Sequence, residues 1–142
     1  MRVDTLTLDF VEELPESLIL GRLYISIEHR IAAHLCCCGC GQEVITPISP
    51  TDWKLTFDGI SVSLHPSIGN WSFRCRSHYF VRNNKIVWSN TWTNEEISLG
   101  RQKDRKLKNY VYQEKRAIKP ESHHSVKDQN LLARIWCWLQ RA

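Results

Sequence analysis

The sequence predicts an α+β fold, a small antiparallel β-rich domain with C-terminal helices, on three observations. Short alternating or β-branched runs fill the chain up to Trp88. Two of the joints between them, Asp58-Gly59 and Asn83-Asn84, are hairpin signals. After Trp92 the apolar spacing lengthens from the strand period to the helix period.

Arg2 to Phe10, with Val3, Leu6, Leu8 and Phe10 among polar residues, reads as an opening strand. Leu14-Pro15-Glu16-Ser17 breaks it, and Leu23 to Ile27, β-branched and aromatic, is a second strand. His34 to Gly41 is too rich in glycine and cysteine for a regular element and reads as a tight metal-type turn. Val44 to Thr46 is a short strand stopped by Pro47 and Pro50. Trp53 to Phe57 and Ile60 to Leu64 alternate around Asp58-Gly59, and His78 to Val81 and Ile86 to Trp88 flank Arg82 to Lys85. Ser67 to Trp71 reads as a loop whose glycine and asparagine shape either a pocket or an ordinary turn. Thr93 with Glu96 three residues on is a capping box that starts a helix running to about Tyr112, weakened by Gly100. Ser125 with Asp128 repeats that pattern before a last helix, Asp128 to Arg141, whose Leu131, Leu132, Ile135, Trp138 and Leu139 share one face. Such a face is expected to dock on the protein's own sheet or on a partner.

At 142 residues the chain is one domain's worth of polypeptide, and 42% hydrophobic with 24% charged residues is globular composition. Its organisation is expected as a β-rich core over 1–92, a basic helix over 93–118, and a linker with amphipathic helix over 119–142. No apolar run is long enough for a transmembrane segment. Asp4, Asp9, Glu12 and Glu13 against Arg2 make the start unlike a secretory leader, so a cytoplasmic, reducing location is expected. Residues 1–100 hold 8 Lys/Arg and 11 Asp/Glu, residues 101–142 hold 11 and 4, so the formal charge of +4 originates in the last third.

Cys36, Cys37, Cys38 and Cys40 crowd one short segment. Clustered thiols in a reducing compartment suggest metal before disulfides. Zinc takes tetrahedral thiolate and imidazole ligands, commonly a close pair from each of two segments. Cys38-Gly39-Cys40 and Cys75-x-x-His78 supply such pairs, with Cys36 in reserve; Cys37-x-x-Cys40-Gly41 has the spacing of a zinc knuckle, and His34 is a further candidate. Cys137, between two tryptophans, reads as a packing residue. The zinc is either a structural staple or a catalytic ion with an open position for water, and Glu28 and Glu43 are the nearest acidic candidates for a general base in the second case. Ser77 beside His78 is not a nucleophile–base pair, because strand neighbours point to opposite faces.

Leu23-Tyr24-Ile25-Ser26, His34-Leu35-Cys36 with Cys38-Gly39-Cys40-Gly41, Thr46-Pro47, and Ser63-Leu64-x-Pro66-Ser67-Ile68-Gly69-Asn70-Trp71 followed by Cys75-x-Ser77-His78-Tyr79 together resemble a family of small bacterial proteins classed as a domain of unknown function. The likeness covers about residues 14 to 110. It implies encoding beside ubiquitin-like modifiers and their activating and conjugating enzymes, with a metal-binding and peptidase role. It also implies a ligand set drawn from Cys36, Cys38, Cys40, Cys75 and His78, with Cys37 outside the pattern.

Three functions follow as expectations. One is a zinc-dependent peptidase or isopeptidase acting on a ubiquitin-like modifier, with Glu28 as base. Another is a non-catalytic zinc adaptor that docks the modifier or its conjugating enzymes. The third and weakest is nucleic-acid binding through Arg101, Lys103, Arg105, Lys106 and Lys108, with Tyr110 and Tyr112 stacking on bases.

Overall fold

The computed structural model describes residues 1–118. Two sheets carry the expected β-rich core. The first has the order β1 (Thr7–Phe10), β2 (Arg22–Ser26), β3 (Ile31–Leu35), β4 (Glu43–Pro47); the second is β5 (Lys54–Phe57), β6 (Val62–Gly69), β7 (His78–Arg82), β8 (Lys85–Trp88). All neighbouring pairs are antiparallel except β1 and β2, which run parallel with Leu8 opposite Leu23. The strand β3 lies where the sequence pointed only to a metal turn's approach; its Ile31-Ala32-Ala33 is too short and small-residued to give a periodic signal.

The hairpin signals fold as such, one of them with a longer turn than expected. Asn83 and Asn84 take φ values of 46° and 64° between Arg82 and Lys85, the left-handed pair that a two-residue hairpin needs and asparagine tolerates. Asp58 to Ser61 form a wider turn because Phe57 pairs with Val62. There the Asp58 carboxylate accepts the N–H groups of Ile60 and Ser61 at 2.9 and 2.6 Å, which holds its pKa at about 2.

Leu23, Ile25, Ala32 and Val44 of the first sheet and Val62, Leu64, Ile68, Tyr79 and Val81 of the second join one buried apolar cluster. The amino-terminal segment stitches the sheets together. Val3 N–H donates to the Cys37 carbonyl, and Leu6 N–H and the Asp4 carbonyl bond to Asn84 and Ile86 before the chain enters β1.

Thr93 caps α1 (Asn94–Ile118) as expected, exchanging bonds of 2.8 and 3.2 Å with Glu96. The helix runs past Tyr112 to Ile118. Gly100, a weak point by propensity, makes room for an indole: a Cβ there would lie 3.1 Å from Trp92 Cζ3. The chain divides into two compact units at Lys108, so the helix begins in the unit that holds both sheets and continues into the second. No helix among the described residues is long and apolar enough to cross a membrane. The linker and last helix expected over 119–142 lie outside the described residues.

Candidate active site and cysteine cluster

Cys36 leaves the end of β3, and a turn closed by the Gly39 N–H on the Cys36 carbonyl (2.9 Å) folds Cys38 and Cys40 back towards it. Gly39 has φ +83°, and a Cβ there would overlap the Met1 backbone, so a larger residue would be strained and would displace Met1. Cys75 enters from the second sheet, in the tight turn that precedes β7. The sulfurs of Cys36, Cys38, Cys40 and Cys75 all lie within 4.8 Å of one another. Separations of 3.4 Å (Cys36 to Cys38), 3.9 Å (Cys36 to Cys75) and 3.7 Å (Cys40 to Cys75) bracket the roughly 3.8 Å edge of a tetrahedron with metal–sulfur bonds of about 2.3 Å. Four soft donors at that spacing can hold a metal ion.

Polar groups surround the cluster. Ser77 Oγ lies 3.1 Å from Cys36 Sγ and 3.6 Å from Cys75 Sγ, and Asn70 Nδ2 donates to Ser77 Oγ at 2.9 Å. Burial opposes ionisation of Cys75, but bonds from the Ser77 hydroxyl and N–H and from the Cys38 and Cys40 thiols outweigh it and bring its pKa down to about 7. Burial pushes the Cys36 and Cys38 thiols up. Cys37 faces the apolar core, and burial raises its pKa to about 12. His34 is buried between the sheets with Nε2 2.8 Å from the Tyr79 hydroxyl and Nδ1 unpartnered; burial lowers its pKa to about 4.

The structure places His78 elsewhere. Its Nδ1 is 2.7 Å from the Asn90 carbonyl oxygen and its Nε2 2.9 Å from Ser67 Oγ, so both ring nitrogens are engaged away from the four sulfurs. The reason is strand alternation: Ser77 points inward to Cys36, and His78 next to it points to the opposite face of β7. Glu28 sits exposed in the turn after β2, and Glu43 is exposed at the start of β4.

Ser67, read from the sequence as loop, is part of β6. Leu64 pairs with Val81 and Ile68 with Tyr79, so β6 carries extra residues around Pro66, which has no N–H for the ladder. This bulge turns Ser67 onto the outer face, opposite the buried Ile68, and within reach of His78. A carbonyl can only accept, so in the neutral ring Nδ1 carries the proton and the Nε2 lone pair receives the Ser67 hydroxyl. Aromatic rings enclose the imidazole: Trp71 at 5.0 Å and Trp92 at 5.4 Å between centroids, the two indoles stacked 5.5 Å apart, and Phe80 at 6.1 Å. The sequence reading offers a pocket from the glycine and asparagine of Ser67 to Trp71 but does not name Ser67, Trp71, Asn90 or Trp92 as partners of His78; the Ser-Ile-Gly-Asn-Trp string is the signal that could have found them.

No curated protein and no solved structure matches the chain. The family described as "Bacterial ubiquitination-like system serine protease (BubE)" matches residues 10–89, which takes in β2 to β8, the four clustered cysteines, Ser67 and His78. On this match over more than half its length, the chain belongs to the BubE family of bacterial ubiquitination-like systems.

Proposed function

We propose that the protein is a serine peptidase or isopeptidase acting on a ubiquitin-like modifier, with Ser67 as nucleophile and His78 as general base, braced by a structural zinc. The observation that carries this reading is the chain of two short hydrogen bonds from Ser67 through the His78 ring to the Asn90 carbonyl. It is the arrangement of nucleophile, base and orienting acceptor that acyl transfer requires. The family description supports the same chemistry.

Ser67 Oγ attacks the carbonyl carbon of the scissile amide while its proton passes to His78 Nε2. The tetrahedral intermediate collapses, the carbon–nitrogen bond breaks, and His78 returns the proton to the leaving amine. Water, deprotonated by His78 in turn, then hydrolyses the Ser67 ester and restores the hydroxyl. A carbonyl behind the imidazole stabilises the imidazolium less than a carboxylate would. The Trp71 and Trp92 rings, with centroids 5.0 and 5.4 Å away, pack against the imidazole and help to hold its orientation.

Cys36, Cys38, Cys40 and Cys75 would hold the zinc, and four thiolates fill a tetrahedral site without leaving a position for water, which favours a structural ion over a catalytic one. Glu28, the expected base of a zinc peptidase, lies in an exposed turn and nothing aims it at the cluster. A fluorophosphonate probe tests the reading directly. It should add one phosphonyl group to Ser67, and Ser67→Ala and His78→Gln should each lower cleavage of a C-terminally extended ubiquitin-like modifier at least about a thousandfold. Full activity in Ser67→Ala would overturn it.

A further inference from the structure

Beside the Ser67–His78 pair lies a cavity of about 500 Å³ lined by Trp71, Arg76, Asn94, Ile97, Ser98, Arg101, Gln102 and Arg105. The helical contribution comes from one face of α1, since positions 94, 97, 98, 101, 102 and 105 recur every three or four residues. Arg101 and Arg105 are one turn apart, so their like charges repel across the same face. Arg76 reaches in from the turn before β7, held by donating to the Asn94 side chain at 3.1 Å and the Trp92 carbonyl at 3.3 Å. The lining has no acidic residue, and none of the three arginines is in an ion pair among the described residues. Trp71 belongs both to this cavity and to the cage around His78, so the cavity starts one ring away from the reacting atoms.

We propose that this cavity is a substrate subsite for carboxylate groups of the peptide flanking the scissile bond, which gives the enzyme a preference for acidic sequences. The proposal rests on Ser67 and His78 being the reacting pair. Guanidinium forks match carboxylates bidentately, and Asn94, Ser98 and Gln102 add neutral donors beside them. A half-open cavity of this size next to the reacting pair suits one or two carboxylates of a short segment; a nucleic-acid backbone would need a longer basic track.

Binding is measured by fluorescence polarisation on Ser67→Ala protein, so it is read independently of hydrolysis. The probes are fluorescein-labelled Gly-Glu-Gly-Glu-Gly-Glu, its glutamine counterpart, and each with a free or amidated C-terminus. The glutamate peptide should bind at least about tenfold more tightly than the glutamine peptide, and adding Arg101→Gln and Arg105→Gln should remove that difference. Lys115→Gln with Arg116→Gln, which takes equal charge from the last turn of α1, should leave it in place. Retention of the preference in the amidated pair assigns the subsite to side-chain carboxylates; its loss on amidation overturns a preference for acidic sequences. Equal binding of the two sequences with either terminus, or an undiminished preference in the double arginine variant, overturns the proposal. So does a single-stranded oligonucleotide that displaces the peptide at equal concentration with higher affinity. If the acidic preference holds and fluorophosphonate fails to label Ser67, the peptidase reading fails and the carboxylate site stands as a binding site alone.

Discussion

At Gly69 a methyl group would overlap the Trp71 indole nitrogen, and Gly69 is also the residue directly opposite His78 in the ladder. Gly69→Ala should therefore push Trp71 off the His78 ring while leaving the sheet intact; kcat should fall roughly tenfold to a hundredfold with little change in melting temperature. A steady-state comparison with circular dichroism checks it, and unchanged kcat would show that the indole is not needed. His34 gives a pH signature. Unfolded, it binds a proton with pKa 6.5; folded, it resists protonation down to about 4. The folded chain thus binds fewer protons in that window, so stability is full above pH 6.5 and falls as the pH drops towards 4, by about 3 kcal/mol. Denaturant titrations should show a shallower decline for His34→Gln, and equal slopes would assign the acid loss to the thiolates instead. Spacing alone brought Cys38, Cys40, Cys75 and Cys36 into consideration, because thiol clusters announce themselves wherever they fall. Spacing could not separate His78 from them, since it falls three residues after Cys75, which lies in a turn, and only entry into β7 decides its face.

The strands, by contrast, were legible wherever alternation or turn chemistry spoke: the Asn83-Asn84 hairpin and the Thr93 cap both fold at the residues that the pattern marked. The pairing of Ser67 with His78 was not legible because the position of Ser67 depends on the β6 bulge, a register feature set by the pairing with β7. The start of α1 has a functional consequence. Trp92 immediately precedes the cap and packs on both Trp71 and His78. Thr93→Ala should cost about 1 kcal/mol, concentrated in the first turn. Hydrogen exchange should show faster opening at Ile97, whose N–H bonds to the Thr93 carbonyl, than at the centre of β7. Uniform change across the helix would refute a local effect.

For the molecule as a whole, the cysteine cluster ties one sheet to the other, since Cys36, Cys38 and Cys40 follow β3 and Cys75 leads into β7. Chelation should lower the melting temperature markedly, and peptidase activity should decline in step with the folded fraction, as a structural ion requires. Activity lost at a chelator concentration that leaves the fold intact would instead make the metal catalytic. Elemental analysis should find one zinc per chain, and Cys75→Ser should reduce it well below half an equivalent.

The stitching of Val3 to Leu6 across both sheets bears on how the protein is made. Thr5 bridges Lys85, and Leu6 bonds to Asn84, so this segment finds its partners only after the intervening strands, β1 to β7, are in place. Long-range closure of this kind slows folding, because the loop must be ordered before its contacts repay the loss. Until that closure the seam stays open, and Cys36, Cys38 and Cys40 lack Cys75 beside them. Closure of the amino-terminal stitch and the approach of Cys75 to the other three thiols are thus late, long-range events that the same part of the second sheet, β7 and β8, brings about together.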